Sequence, residues 1–232
     1  MIYLTADTHG ELSRFDNSRT KRLKAGDTLI VCGDFGFLWD GGPAEQKALK
    51  KLSKKKYRIL FLDGTHENFD LLERYPVTEW GGGKVRRIGE NLYHLLRGQV
   101  FTVEGKKIFA FGGGESAEKQ FYIEAGKWWA REMPTMEEMR EGARNLKAAG
   151  MEVDYIVTHT PPPCLSAGRV GPETGTKNQL EAFFEQVAKR VRYEKWFFGS
   201  LHEDRRITYK DVAVFEQVLP AWEPAPKHRF RK

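Results

Sequence analysis

The chain has few cysteines and no long apolar run. Its 232 residues include two cysteines, Cys32 and Cys164, which are too few for a disulfide framework, and the apolar surroundings of Cys32 predict a buried free thiol. No apolar stretch approaches the roughly 20 residues that cross a bilayer, and the chain opens with the strand-like residues 1–4 rather than with a basic leader. The sequence therefore predicts a cytoplasmic protein without a membrane segment.

The sequence also lacks the signatures of nucleotide-binding loops and of kinases. Two triple-glycine runs, residues 81–83 and 112–114, have neither the spacing nor the following lysine of a phosphate loop, so we predict turns there. Residues 34–36 spell Asp-Phe-Gly, but no His-Arg-Asp catalytic loop accompanies them. We therefore discard both interpretations.

Length and composition predict one domain and a tail. With 40% apolar and 12% aromatic residues, the chain can build one sizeable core but hardly two. We place this domain at residues 1–219. Residues 220–232 contain prolines followed by Lys and Arg, and we predict that they form an extended basic tail.

The net charge of +6 suits an anionic partner, such as a phosphorylated small molecule, a nucleotide or a phosphoprotein, although a solvated basic surface explains it as well. The basic tail is compatible with nucleic acid. However, no run interleaves Lys and Arg with stacking aromatic residues, which disfavours a nucleic-acid groove. Arg86, Arg87, Lys127 and Arg131 are candidate phosphate contacts, and solvated positions are the simpler interpretation for them.

Short runs rich in β-branched and aromatic residues predict seven strands, and longer periodic stretches predict four helices. The predicted strands are residues 2–5, 28–32, 58–62, 100–103, 108–111, 155–158 and 196–198. The predicted helices are residues 43–56, 67–75, 135–149 and 177–192. The third has Thr135 as N-cap, Glu138 three residues later and Gly150 as its stop.

Residues 85–111 have no long helical pattern and predict a β-meander. Together with the aromatic-rich residues 121–129, they are candidate walls of a binding site. Strands and helices alternate early in the chain, and strands cluster later. This order predicts an α/β protein in which sheets carry helices on their outer faces.

Five short polar segments each follow a predicted strand. They are Asp7-Thr8-His9, Gly33-Asp34, Gly64-Thr65-His66-Glu67, Thr158-His159 and Gly199-Ser200-Leu201-His202. Strand ends are where α/β proteins place functional side chains, because the rigid strand fixes the start of the loop and the loop exposes the residue.

The first segment has the spacing of a metal chelate. Asp7 and His9 are two residues apart, so in an extended strand both side chains would point toward one ion. A carboxylate with an imidazole suits manganese, iron, nickel or zinc, whereas magnesium and calcium prefer oxygen alone. One such pair is common by chance. Four of the six histidines, His9, His66, His159 and His202, directly follow predicted strands, and chance placement would scatter them.

This ordered series resembles the calcineurin-like metallophosphoesterases, whose pattern runs Asp-x-His, Gly-Asp, Gly-Asn-His-Asp/Glu, a histidine after a strand, and Gly-His-x-His. The match extends from Asp7 to His202, and residues 63–72 and 195–199 are similar to a bacterial or phage branch of the family. The resemblance implies a four-layer α-β-β-α sandwich of two mixed β-sheets flanked by helices. It also implies hydrolysis of a phosphomonoester or phosphodiester by a metal-activated hydroxide.

The resemblance further implies a role for each matching position. Asp7, His9 and His202 would hold a first divalent transition-metal ion, and Asp34 would bridge it to a second. His66 would stand beside the substrate, where it would stabilise the transferring phosphoryl group or protonate the leaving oxygen.

The sequence departs from the family pattern at two positions, and both concern the second metal ion. That ion would be held by Asp34, His159 and the residues at positions 65 and 200. The family has asparagine and histidine there, whereas this chain has Thr65 and Ser200. Neutral hydroxyls are poorer ligands, so we expect a weakened second site beside a complete first one.

The sequence is compatible with three functions. The first is an active hydrolase that uses one tight metal ion and a second weak one. The second is a catalytically impaired relative that binds one metal ion and a phosphorylated ligand in a regulatory role, which Thr65 and Ser200 favour. The third is a nuclease or nucleic-acid binder, which the basic tail favours.

Overall fold

A computed structural model describes residues 1–162 and 178–222 of the chain. The strands are β1 (Ile2–Thr5), β2 (Thr28–Val31), β3 (Arg58–Phe61), β4 (Val77–Trp80), β5 (Gly83–Arg87), β6 (Leu92–Leu95), β7 (Gln99–Val103), β8 (Lys106–Phe111), β9 (Tyr155–Thr158), β10 (Lys195–Phe198), β11 (Arg205–Arg206), β12 (Asp211–Ala213) and β13 (Leu219–Pro220). The α-helices are α1 (Pro43–Ser53), α2 (Phe69–Leu72), α3 (Lys119–Glu124), α4 (Met136–Ala148) and α5 (Gln179–Arg190). Short 3-10 helices lie at Leu12–Phe15, Thr20–Arg22 and Ala130–Glu132.

The described strands form two mixed sheets. The first sheet has the order β13-β1-β2-β3-β6-β5-β4, and its strands β1, β2, β3 and β6 are parallel. The second has the order β11-β12-β10-β9-β8-β7, and its strands β12, β10, β9 and β8 are parallel. Antiparallel strands close both ends of each sheet.

Three apolar clusters divide the molecule into four layers. Leu4, Leu60, Val157 and Phe197 belong to a cluster that joins the facing sides of the two sheets. The outer side of the first sheet packs against α1 and α2, through residues such as Leu52 of α1. The outer side of the second sheet packs against α4 and α5. The prediction of two mixed β-sheets flanked by helices is therefore confirmed.

All seven predicted strands form, and β1 and β9 have the predicted bounds. The patterns missed β4, whose first three side chains are exposed and therefore lack an apolar alternation. The prediction of one β-meander over residues 85–111 is wrong. β5 and β6 pair in the first sheet, and β7 and β8 pair in the second. The chain thus changes sheet between Leu95 and Gln99. The sequence did not reveal this change, because both sheets bury apolar faces and a periodic pattern cannot distinguish them.

All four predicted helices are present in part. In α4 the predicted capping box forms, since the Thr135 side chain accepts from the Glu138 N–H and Glu138 accepts from the Thr135 N–H. The helix predicted at residues 67–75 shrinks to α2, because Asn68 caps it and Glu67 is buried before it. α1 ends at Ser53, and α5 begins at Gln179. Residue 177, the predicted start of the fourth helix, lies outside the described residues.

The first glycine run and Cys32 agree with the sequence analysis, whereas residues 112–114 follow β8 without forming the predicted turn. Gly81 and Gly82 have positive φ angles of 59° and 88° in the turn between β4 and β5, which favours glycine. Cys32 is buried and free, and Cys164 lies outside the described residues. None of the described helices is long and apolar enough to cross a membrane.

The structure describes only the beginning of the predicted tail. Pro220 pairs with Tyr3 in the ladder between β13 and β1, and Ala221 is buried. Residues 223–232, which contain the tail's basic residues, lie outside the described residues. The division of the chain at residue 219 remains a prediction.

Candidate metal centre and active site

The five polar segments meet at one edge of the two sheets. Asp7, Asp34 and His66 follow the adjacent parallel strands β1, β2 and β3 of the first sheet. His159 and His202 follow the adjacent parallel strands β9 and β10 of the second. Because parallel strands end at the same edge of a sheet, the fold gathers residues that lie far apart in the sequence.

The backbone of this site differs from the sequence expectation. β1 ends at Thr5, and Asp7 and His9 have positive φ angles of 48° and 44° rather than an extended conformation. Asp34 and His202 also lie in the left-handed region, at φ 46° and 49°. Such conformations cost on the order of 1–3 kcal/mol each for residues other than glycine. The expected strand geometry at Asp7 and His9 is therefore wrong, although both side chains still reach one cluster.

Backbone hydrogen bonds between neighbouring loops hold these conformations. The N–H of Asp7 donates to the carbonyl of Gly33 at 3.0 Å, and the N–H of His9 donates to the carbonyl of Asp34 at 2.9 Å. Arg14 donates to the carbonyls of Ala6 and Phe215 on the other side of the first loop. The loops after β1 and β2 are thus joined directly, which fixes the spacing of their side chains.

Four side chains form a cluster suited to a metal ion. Asp7, His9, Asp34 and His202 each offer one ligand atom, and these atoms all lie within 4.8 Å of one another. The Nε2 atoms of His9 and His202 are 3.2 Å apart. Two carboxylates and two imidazoles match the donor preferences of a divalent transition metal. Bringing two imidazole nitrogens and two carboxylates so close is unfavourable unless a cation or proton lies between them.

The protonation preferences of the cluster also suit a metal ion. Burial, reinforced by the Asp34 carboxylate and opposed by His159, raises the pKa of Asp7 to about 7. Asp34 is also buried, yet His159 and His66 hold its pKa below its usual range. Although their rings have exposed edges, partial desolvation lowers the pKa of His9 and the pKa of His202. Neutral imidazoles are the form that binds metals.

His159 lies beside this cluster but outside the four-donor group. Its ring is buried, with Nδ1 3.6 Å from an Asp7 oxygen and Nε2 3.6 Å from an Asp34 oxygen. The Thr65 N–H donates to Asp34 at 2.6 Å, and the Ser200 N–H donates to Asp7 at 3.0 Å. At both substituted positions it is therefore the backbone that contacts the carboxylates.

His66 is held at both ring nitrogens. Its Nδ1 lies 2.8 Å from an oxygen of Asp34, and its Nε2 lies 2.9 Å from the hydroxyl of Tyr122. Against the lowering effect of burial, the hydrogen bond to Asp34 and its charge raise the pKa of His66. The ring is thus fixed in orientation and placed between the metal cluster and α3.

Two glycines allow this close packing. A Cβ at Gly33 would lie 2.1 Å from Nδ1 of His159, and a Cβ at Gly64 would lie 2.0 Å from an oxygen of Asp34. Neither contact is possible for any other residue without moving the ligands. The glycines that precede Asp34 and Thr65 in the sequence motifs therefore have a steric role.

A cavity of about 640 Å³ opens beside the cluster. His9 and His66 line it, together with aromatic residues that include Trp39, Phe121 and Tyr122. The aromatic-rich residues 121–129, a predicted wall, thus contribute to the site. The predicted wall at residues 85–111 does not contribute to the lining of this cavity among the described residues.

Of the four candidate phosphate contacts, one lines the cavity and three do not. Lys127 lines the cavity. Arg131 instead pairs with Asp70 and Glu73, and Arg86 donates to backbone carbonyls. Arg87 is exposed, and its side chain donates to the carbonyl of Gly89. Sequence reasoning included Tyr122 in a candidate wall, but it did not predict the contact of its hydroxyl with His66.

Comparisons with known proteins give likeness in fold only. No family model matches the chain, and no curated protein matches its sequence. One similar solved structure is a protein assigned as a 5′-nucleotidase from Staphylococcus aureus, with a TM-score of 0.49 and 14% identity over 92% of this chain. The chain spans about half, 48%, of that protein. Another is the phosphopantetheinyl hydrolase of Mycobacterium tuberculosis, with a TM-score of 0.43 and 14% identity over 92% of this chain and 89% of that one.

Proposed function

We propose that this chain is a metal-dependent phosphoester hydrolase that acts on phosphomonoesters or phosphodiesters. The observation that supports it is the four-donor cluster of Asp7, His9, Asp34 and His202 with His66 next to it. A cluster of this kind at the carboxyl ends of parallel strands, open to a cavity, is typical of a catalytic site.

These four residues would hold a divalent ion of manganese, iron, nickel or zinc. When bound, such an ion polarises a phosphoryl oxygen and acidifies a nearby water molecule. Asp7 and Asp34, which are both buried, would supply the negative charge. His9 and His202 would supply the nitrogen donors that favour a transition metal over magnesium.

His66 would act on the leaving group. Asp34 fixes its Nδ1, so the Nε2 side faces Tyr122 and the cavity. A protonated imidazole in this position would donate its Nε2 proton to the departing oxygen. Tyr122 would keep the ring in that orientation until substrate arrives.

We further propose that a second metal ion binds weakly. Its strong ligands would be Asp34 and His159, and the hydroxyls of Thr65 and Ser200 would complete the site poorly. Ser200 is exposed, and the Thr65 hydroxyl lies 3.2 Å from Nδ1 of His66. Substrate phosphate would then help to recruit the second ion.

The substitutions at these two positions also favour a second candidate function. A chain with one tight metal ion and no second could bind a phosphorylated ligand without turnover, in a regulatory role. The nuclease alternative depends on the basic tail, which lies outside the described residues, and it remains the least supported.

A double variant, Thr65→Asn with Ser200→His, tests the proposal. We expect the unaltered chain to hold about one transition-metal ion and to release phosphate from a generic aryl ester slowly when metal is added. The double variant should gain a second ion and faster turnover of monoesters or diesters. Metal content and steady-state kinetics measure both.

Two control variants complete the experiment. His202→Ala should lose the first ion and the activity. Tyr209→His adds an imidazole at an exposed position, between β11 and β12 at the far end of the sheet, and should change neither. A double variant that gains neither ion nor activity would contradict the assignment of positions 65 and 200. Metal binding without any turnover would favour the regulatory alternative.

A further inference from the structure

The cavity beside the metal cluster is much larger than a phosphate group requires. Its volume of about 640 Å³ lies within the range of roughly 300–1,000 Å³ that is typical of sites for whole small molecules. His9 and His66 line it at the metal cluster. A phosphoryl group bound between these histidines would therefore leave most of the cavity to the rest of the substrate.

Aromatic side chains from two separate parts of the chain form much of the remaining wall. Phe37 and Trp39 come from the loop after β2, and Phe121 and Tyr122 come from α3. Trp39 contacts Tyr122 with ring centres 5.9 Å apart and an interplanar angle of 78°. Phe121 contacts Tyr122 in a similar edge-to-face manner at 5.3 Å. Aromatic rings arranged in this way can receive a further ring by stacking or edge contact.

Helix α3 contributes little apolar surface to the core of the protein. None of its side chains is buried, and Phe121 is 65% exposed although it lines the cavity. A planar apolar group in the cavity would cover this ring and remove apolar surface from water. The exposed ring is thus placed to contact a substrate rather than the core.

Two polar side chains of the wall, Glu45 and Tyr122, already have hydrogen-bond partners within the protein, so they are less available to a polyhydroxylated leaving group. The carboxylate of Glu45 accepts hydrogen bonds from the N–H groups of Trp39, Asp40 and Gly41, at 2.8–3.1 Å. Lys127 lies with its Nζ 5.7 Å above the Trp39 ring. The hydroxyl of Tyr122 already contacts His66.

On the basis of the proposed phosphoester hydrolase function, we propose that this cavity binds the leaving group of the substrate and selects leaving groups that carry a planar aromatic ring. Trp39 and Phe121 are the specificity-determining residues. In the reaction a water oxygen bonds to phosphorus, the bond from phosphorus to the leaving oxygen breaks, and the leaving alcohol departs with a proton. The aromatic ring is attached to that alcohol and does not react.

Three phosphate esters of primary alcohols test the selection without changing the leaving oxygen: phenethyl, cyclohexylethyl and ethyl phosphate. With manganese added, we expect kcat/KM for the phenethyl ester to exceed kcat/KM for the ethyl ester by about tenfold. Aromatic contacts of this kind typically give an effect of that size. The cyclohexylethyl ester should fall clearly below the phenethyl ester. Equal values for the phenethyl and ethyl esters, or for the phenethyl and cyclohexylethyl esters, would overturn the proposal.

Variants assign the selection to the two rings. Phe121→Ala and Trp39→Ala should bring the ratio of kcat/KM for the phenethyl ester to kcat/KM for the ethyl ester close to one, while Trp39→Phe should retain part of the difference. The ethyl ester reports any loss of folded enzyme in the same variant. Tyr209→Ala removes another exposed aromatic ring, 74% exposed, and should leave all three rates unchanged. Variants that slow all esters equally would contradict the role of the rings.

A binding measurement separates failure of this inference from failure of the proposed function. Phenethylphosphonate and ethylphosphonate cannot be hydrolysed, and calorimetry with the manganese-loaded chain measures their affinities. If no ester is turned over, the hydrolase proposal fails. Tighter binding of phenethylphosphonate, lost in Phe121→Ala, would still support an aromatic-selective cavity, whereas equal binding or no binding would overturn it.

Discussion

Glu67 is a buried carboxyl group next to the metal cluster. The residue has no exposed surface, and one oxygen accepts the N–H of Phe35 at 2.7 Å. Burial, followed by the charge of Asp34, raises the pKa of Glu67 well above its ordinary value of 4.5. The raised pKa favours the protonated, uncharged form of this buried side chain. The side chain holds the turn that carries Asp34.

This state predicts different results for two substitutions. Glu67→Gln keeps an uncharged acceptor, and we expect the free energy of unfolding at neutral pH to change by less than about 1 kcal/mol. Glu67→Leu leaves the buried N–H of Phe35 without an acceptor and should cost on the order of 1–3 kcal/mol. Urea unfolding measures both.

The same carboxyl predicts a pH dependence. Because its pKa is higher in the folded than in the unfolded chain, its contribution to stability is fully present below pH 4.5 and is lost as pH rises through the raised pKa. Unfolding free energies measured from about pH 5 to about pH 8 should fall more steeply in the unaltered chain than in Glu67→Gln. Equal slopes would show that Glu67 is charged in the folded state.

The candidate ligand positions could be predicted because each motif combines a residue type with a strand end. Asp7, His9, Asp34 and His202 come together, as the family resemblance implied. Their left-handed backbone was not predictable, because it depends on hydrogen bonds to a neighbouring loop. The contact between His66 and Tyr122 joins residues 56 positions apart, and no local pattern records it.

At the scale of elements, the loop that carries His66 starts from a buried ionic cluster. Asp63 lies two residues after the end of β3. Its carboxylate accepts from Nε of Arg97 at 2.9 Å and lies 3.0 Å from Nε2 of His94. All three residues are buried, and despite that burial Arg97 and His94 hold the pKa of Asp63 well below its usual range. Arg97 also donates to the carbonyls of Arg131 and Glu132, so it connects β3, β6 and the segment before α4.

We expect Arg97→Met to lower the free energy of unfolding by roughly 3–5 kcal/mol, because it leaves the buried Asp63 carboxylate without its main partner. The exposed Arg87 offers a matched control, since Arg87→Met should change stability by no more than about 0.5 kcal/mol. Urea unfolding of both variants at neutral pH tests the difference. Similar losses in the two variants would show that the Asp63–Arg97 pair contributes little.

Elements with a buried stripe were predictable, and those without one were not. α4 has an apolar face, a capping box and a glycine stop, and its predicted and observed bounds agree to within one residue. α3 and the exposed strand β4 bury little, so they left no periodic signal. α3 nevertheless borders the cavity, which shows why periodicity finds the core more readily than the site.

For the molecule as a whole, the sequence indicated sheets with outer helices, and the resemblance implied four layers. The sequence did not reveal that residues 85–111 divide between the two sheets, because each half of this segment has the same apolar alternation. The two sheets both contribute residues to the candidate metal site. Asp7 and Asp34 belong to loops of the first sheet, whereas His202 belongs to a loop of the second. A metal ion bound by all of them would tie the two sheets together.

Metal binding should therefore stabilise the whole molecule against unfolding. An ion that binds the folded chain alone adds about 2.7 kcal/mol at a free concentration of about 100 times its Kd. We expect the midpoint of thermal unfolding to rise when manganese or zinc is added after chelation, and to rise much less with calcium, which prefers oxygen ligands. His202→Ala should abolish this rise and Tyr209→Ala should preserve it. A rise that persists in His202→Ala would show that the stabilising ion does not depend on His202, which would contradict the assignment of His202 to the metal cluster.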